Sequence, residues 1–319
     1  MDIDLVYLWV DGNDPAWRAK KNACLPKEKQ LSTAVAGDCR YVSNDELRYS
    51  LRSAERFAPW IRRIYIVTDN QCPAWLDTSN DRVRIIDQKE IIPAQYLPTF
   101  NSMAIELNLA NIPDLAEHFL YANDDSLFGA PVTPDFFFDS KGRTIVRLKP
   151  QKVKGRTGLY PKCVYLAQRL VAERFGRMFT LAPHHNIDSY RKSDFEAALS
   201  AFGDRAASTE SHRFRDETDL QRIAISYCAL ARGEAVLRRV GRYNRAKGLA
   251  EAVGCFLKGS FLSDSRCIPI NKPDLWHEMH KYNPALFTVN DDENATDADR
   301  ARMRRFLEEM FPDKSAFEK

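Results

Sequence analysis

Asp124 and Asp125 are adjacent carboxylates that close an apolar run, Phe119-Leu120-Tyr121-Ala122. Two hard oxygen donors side by side suit Mg2+ or Mn2+. The run before them is too short for a typical helix and reads as a buried strand. In open α/β sheets ligands sit beyond the carboxyl ends of strands, so this is where a nucleotide and a divalent cation would be held. The same Asn123-Asp124-Asp125 triplet also opens ordinary turns. Asp11-Gly12 follows the run Ile3–Val10 in the same way, and Pro15 marks the start of a short helix behind it. Backbone amides and a carboxylate there suit a nucleotide or a plain tight turn. A third approach of this kind is Phe287-Thr288-Val289 running into Asn290-Asp291-Asp292.

Cationic and polar groups are spaced between these ends. Arg48, Arg52 and Arg56 recur at helical period. They are either a solvated face or, for Arg48 and Arg52, guanidinium groups within reach of a diphosphate. Asn101 and Ser102 lead into a helix that carries Glu106, where Ser102 either caps it or, with its amide-bearing neighbourhood, grips a sugar or phosphate. Pro183-His184-His185-Asn186-Ile187-Asp188 and Ser211–Asp216, which includes Arg215, fall between helical patterns.

The elements that must position these residues follow from periodicity. Ile3–Val10, Arg63–Thr68 and Val83–Asp87 read as core strands, and the helix from Asn44 puts Leu47, Leu51, Ala54 and Phe57 on one face. Ser43 or Asn44 is its expected cap and Pro59 its limit. Alternation of this kind predicts a doubly wound α/β sheet. Neither G-x-G-x-x-G nor a Walker loop is present. Beyond Gly129 the rhythm is lost. Phe136-Phe137-Phe138 is expected to pack as an elbow, residues 139–163 as an exposed insertion, 164–232 as mainly helical, and 296–311 as an amphipathic helix. The expected division is a 1–130 α/β core, a 131–285 insertion and helical region, and a 286–319 segment that completes the core.

A chain of 319 residues with 44% hydrophobic and 29% charged side chains can bury a sizeable core. A formal charge of +3 gives no argument for nucleic acid as a partner. The basic runs Lys149, Lys152, Lys154, Arg156 and Arg238, Arg239, Arg242, Arg245, Lys247 read as solvated surface, with an anionic acceptor or anionic lipid headgroups as the weaker alternatives. Seven cysteines, Cys39 and Cys255 among them, form no C-x-x-C pair and are expected to be reduced thiols. The N-terminus lacks a secretory pattern and no apolar run spans a bilayer, so the expected location is cytoplasmic, at most peripheral to the inner membrane.

Taken together and in order, these blocks resemble the Stealth family of sugar-1-phosphate transferases. The blocks are Asp4–Gly12, Glu46–Ser53, Ala58–Arg62, Ile64–Asp69, Leu97–Ser102, Asn123–Asp125, His184–Asp188 with His212–Asp219, and Val289–Asp291 with Phe306–Pro312. The resemblance implies an α/β, Rossmann-like (GT-A-like), mostly parallel sheet with flanking helices and a mainly helical insertion. It implies transfer of hexose-1-phosphate or N-acetylhexosamine-1-phosphate from a nucleotide sugar, a UDP-sugar, to a hydroxyl of a glycan acceptor, lipid-linked or free. The implied roles are a Mg2+ or Mn2+ site at Asp124 and Asp125, a donor pocket at Trp9, Asp11, Gly12, Arg48, Arg52, Asn101 and Ser102, and charge stabilisation by Arg215. His184 or His185 would take the acceptor proton, with Asp291 the competing base and Asn290 orienting the acceptor. The rival reading is a metal-dependent glycosyltransferase that releases nucleoside diphosphate; a catalytically silent glycan-binding protein is the third.

Overall fold

The computed structural model describes residues 1–26, 31–37, 40–153, 157–240 and 263–319. Cys39, Cys255, Lys154, Arg156, Arg242, Arg245 and Lys247 lie outside the described residues. The first strand, β1 (Ile3–Leu8), has side chains buried on both of its faces. A strand of that kind belongs in the middle of a parallel sheet. It pairs in parallel with β2 (Ile64–Thr68) on one side and with β4 (His118–Asn123) on the other, and β3 (Val83–Asp87) extends the sheet beyond β2. The order β3-β2-β1-β4 is Rossmann-like, with helix α1 (Pro15–Ala23) after β1 and α2 (Glu46–Phe57) before β2. Helix α3 (Ser102–Leu107) precedes β4.

The chain then turns a corner. After Asp124-Asp125, β5 (Ser126–Phe128) leaves the first sheet and pairs antiparallel with β11 (Pro284–Asn290), which lies parallel to β10 (Ser263–Pro269). Leu127 and Phe128 are fully buried at this corner. Gly129 follows because a Cβ there would stand 2.4 Å from the Pro284 carbonyl oxygen. Helix α7 (Leu275–Tyr282) precedes β11, and α8 (Asp297–Met310) packs Met303, Phe306 and Leu307 under it, as the amphipathic pattern of 296–311 predicts.

Two local expectations are corrected, and the mainly helical 164–232 region carries one addition. Residues 144–152 are not exposed insertion: β6 (Thr144–Lys152) buries Val146, Arg147 and Leu148, between β7 (Leu181–Pro183) and β9 (Ala235–Arg239). Within the helical region of α4 (Leu159–Phe175), α5 (Lys192–Ser211) and α6 (Ile223–Arg232) lies β8 (Asp188–Arg191), the antiparallel edge of the main sheet. Neither Ser43 nor Asn44 caps α2; Asp45 occupies that position with φ 68, and Asn44 turns its amide groups to Glu46 instead. The Phe136–Phe138 elbow is buried as expected. Among the described residues no helix is long and apolar enough to cross a membrane.

Candidate active site

Beyond the carboxyl ends of β1, β2 and β4, where the main sheet meets β11, a cavity of about 640 Å3 opens. Its position follows from the corner, since β4 delivers Asp124 and Asp125 to its floor while β11 delivers Asn290 and Asp291 to the facing wall. Buried hydroxyls hold the corner in place. Tyr7 and Ser50 share a 2.8 Å hydrogen bond, Ser50 donates to the Ser126 carbonyl, and Ser53 accepts from the Phe128 amide at 3.0 Å.

The floor carries more negative charge than it compensates. Burial, then Glu46 and Asp125, raise the Asp124 carboxyl well above the usual range. Burial and Glu46 push Asp125 up to about 7. Glu46 is itself raised by burial, although the Asn44 backbone amide, at 2.6 Å, and side-chain amide, at 3.0 Å, both donate to it. Carboxylates crowded in this way resist losing their protons unless a positive charge joins them. The donor set is all oxygen and fits a hard cation. No three His, Cys, Asp or Glu groups among the described residues form a metal-ligand set by themselves. Mg2+ is commonly held by one or two carboxylates plus substrate phosphates.

Arg215 lines the cavity, and its guanidinium donates to the Ser102 hydroxyl, with Nε at 3.2 Å. Ser102 thus stands at the wall but does not cap α3. That role falls to Asn101, whose side-chain oxygen accepts from the Met103 amide at 3.1 Å. Asn101 is fully buried behind the wall, where it also donates to Asp219 at 2.8 Å, so its placement in the donor pocket is corrected. Asp219 in turn pairs with His212 at 2.7 Å.

The two histidines separate. His184 is buried outside the cavity lining, with Nε2 at 2.7 Å from Asp188 and Nδ1 at 3.0 Å from the Ser265 hydroxyl. Its candidacy as base is corrected on that ground, because both ring nitrogens are engaged. His185 faces the cavity, and burial, then Arg222 and Lys149, push its imidazole down to about 4. Its carbonyl accepts from Thr288 at 3.0 Å; the Thr288 hydroxyl lies 3.2 Å from Ser126, which donates to Asp125 at 3.4 Å. Asn290 and Asp291 both line the cavity, and Arg300 grips Asp291 at 2.7 and 3.2 Å.

Trp9 lines the cavity, whereas Asp11 and Gly12 stand behind it. Asp11 accepts from the Asn13 amide at 2.9 Å, closing a turn, and the Gly12 amide donates to the Tyr41 carbonyl at 2.7 Å. A Cβ on Gly12 would lie 2.5 Å from that oxygen, so glycine is what brings Tyr41 to the rim. Arg48 and Arg52 are not at the cavity. Arg52 makes two parallel 2.7 Å hydrogen bonds to Glu318, and Arg48 lies 3.7 Å from the same carboxylate, because that face of α2 meets the chain end. Missed in the sequence were Glu46, disguised as the ordinary acid of a first helical turn, and Arg222, a lone arginine before α6. Tyr41, Tyr160 and Cys267 also line the cavity, with no signal to distinguish them.

Such a cavity, at the ends of parallel strands and lined by carboxylates, arginines and an imidazole, lies where open α/β sheets hold their ligands. Residues 1–29 match the model described as Stealth protein CR1, conserved region 1, and residues 40–146 match Stealth protein CR2, conserved region 2. The capsular polysaccharide phosphotransferase fcs1 of Haemophilus influenzae is 35% identical over 74% of this chain and 67% of its own length. LcbA of Aeromonas hydrophila, named likewise, is 37% identical over 74% of this chain and 68% of its own. The exopolysaccharide phosphotransferase SCO6023 of Streptomyces coelicolor is 43% identical over 68% of this chain, which spans 38% of that relative's length. Among solved structures, the galactosyltransferase LgtC with donor and acceptor sugar analogs aligns over 96% of this chain and 95% of its own at 12% identity and a TM-score of 0.43. The chain belongs to the Stealth family.

Proposed function

We propose that the chain is a capsular or exopolysaccharide phosphotransferase that moves hexose-1-phosphate or N-acetylhexosamine-1-phosphate from a UDP-sugar to a glycan hydroxyl. The acceptor oxygen attacks the phosphorus that bears the sugar. The bond from that phosphorus to the bridging oxygen of the nucleotide breaks, nucleoside monophosphate leaves, and the acceptor proton passes to a base. The sugar's own carbon–oxygen bond is retained in the phosphodiester. Such a reaction needs positioning and charge stabilisation more than covalent help.

The observation that carries this reading is the meeting, in one cavity, of the Asp124 and Asp125 floor with Arg215, Arg222 and His185. A divalent cation on Asp124 and Asp125 would neutralise diphosphate oxygens there. Arg215, hydrogen-bonded to Ser102, would meet charge on the transferred phosphoryl group. His185, neutral at working pH, is able to accept the acceptor proton, and an anionic donor beside it would strengthen it as a base. Asn290 and Asp291 face the floor from β11 and would orient the acceptor. Contact with a lipid-linked acceptor would be peripheral.

Purified chain incubated with a panel of UDP-sugars and acceptor glycan, with the products weighed by mass spectrometry, tests the proposal. Nucleoside monophosphate and a sugar phosphodiester are expected. Nucleoside diphosphate with a glycosidic product would replace this reading by that of a conventional glycosyltransferase.

A further inference from the structure

Arg222 is an expensive residue to keep where it is. It is 8% exposed, sits just before α6, and lines the cavity beside His185 rather than facing solvent. Its Nη2 donates to Asp188 at 2.8 Å and its Nη1 to Glu106 at 3.4 Å, so one guanidinium ties β8 to α3. The group also lies over the Tyr121 ring of β4, 4.6 Å from its centroid. Its buried Nε has no hydrogen-bond partner among the described residues. Burying an ion pair gives little net stability over well-packed apolar side chains. Placement of a neighbour is a use that burial alone does not supply.

The neighbour is defined by the remaining bonds. Asp188 accepts from Arg222 through one oxygen and holds His184 Nε2 at 2.7 Å with the other, and His184 Nδ1 reaches Ser265 of β10 at 3.0 Å. The segment 184–188 is thus pinned at its first and last residues, and His185 projects from it into the cavity. On the far side, Thr288 holds the His185 carbonyl at 3.0 Å. Building on the transferase reading above, we propose that Arg222 is a positioning residue, which through Asp188 and His184 fixes the place of the His185 imidazole opposite the carboxylate floor. The charged and titratable groups acting on that imidazole are Arg222, Lys149, Asp188 and His184, and Arg222 is the strongest of them. Asp188 stays ionised to serve the brace: burial raises its carboxyl, but His184 and Arg222 outweigh that and hold it below the usual range.

The test compares wild type with Arg222→Met/Glu106→Gln, which removes the cation together with one of its carboxylate partners so that the core remains packable, and with Arg222→Lys. Two readouts are taken. The first is the His185 titration midpoint by NMR on isotopically labelled histidine, which does not depend on any activity. The second is the KM and kcat for monophosphate release. In the double variant the midpoint should rise by at least about one pH unit. Its kcat should fall on the order of 100-fold with donor KM changed less than about threefold. Arg222→Lys should keep the low midpoint yet lose part of kcat, because an ammonium cannot span two carboxylates as the planar group does. An unmoved midpoint overturns the proposal, as does a rise in donor KM that accounts for the whole loss, which would make Arg222 a substrate contact. If wild type releases no monophosphate, the transferase reading falls while the NMR titration still decides the role of Arg222.

Discussion

Arg52 and Glu318 are joined by two parallel hydrogen bonds of 2.7 Å, which fasten the end of the chain to the outer face of α2. The Arg52 side chain is 10% exposed and that of Glu318 is 3% exposed, so the pair is largely withdrawn from water. Removing one partner of such a pair costs about 3 kcal/mol because the other charge is left stranded. Arg52→Met should therefore lower the urea midpoint, while donor affinity, measured by calorimetry, stays within about twofold of wild type. A large loss of donor affinity with unchanged stability would return Arg52 to the donor pocket.

The carboxylate floor gives stability a pH dependence of known sign. With its carboxyl raised to about 7, Asp125 keeps in the folded chain a proton that the unfolded chain has already lost. Folding is then favoured at the acid side of this window, and stability falls as pH rises through the folded value. His185, lowered to about 4, acts oppositely, but its contribution is complete once pH exceeds the ordinary histidine value. Between pH 6.5 and 8 in chelator, Tm is expected to fall, and Mg2+ or Mn2+ should restore it more at pH 8 than at 6.5. Asp125→Asn should flatten the slope. A flat wild-type Tm across that window would contradict the crowded floor.

The separation of the histidines predicts two different phenotypes. His185→Gln should lower kcat by about 100-fold or more with little change in Tm. His184→Gln should lower Tm, because it leaves Asp188 and Ser265 without their shared partner. Thermal melts and initial rates on both variants separate the two; the opposite assignment of effects would exchange their roles.

Gly12→Ala tests the wall behind the cavity in which the donor is proposed to bind. Its methyl would meet the Tyr41 carbonyl oxygen at 2.5 Å, so the rim must move. The expected result is a several-fold rise in donor KM with kcat less affected, read from initial rates across donor concentrations. An unchanged KM would detach Tyr41 from donor binding.

The parallel strands were legible in the sequence because burial on both faces leaves an unbroken apolar run, as in β1 and β4. Asp124 and Asp125 were legible because those runs end abruptly. β8 was not, since Asp188-Ser189-Tyr190-Arg191 is short and polar at its ends, as edge strands are. For α2 the period identified the arginine face correctly but could not say what that face meets; it meets Glu318, not a phosphate. Arg222 carries no local pattern at all, since its partners Glu106 and Asp188 lie 116 and 34 residues away.

The hydroxyls of Ser126 and Thr288 meet at 3.2 Å across a separation of 162 residues. During synthesis, then, the ribosome releases the two aspartates long before the strand that faces them exists. Contacts so distant along the chain form slowly. A nascent or truncated polypeptide ending before β11 has the floor without its opposite wall, and acquires a complete crevice only once β11 has been made.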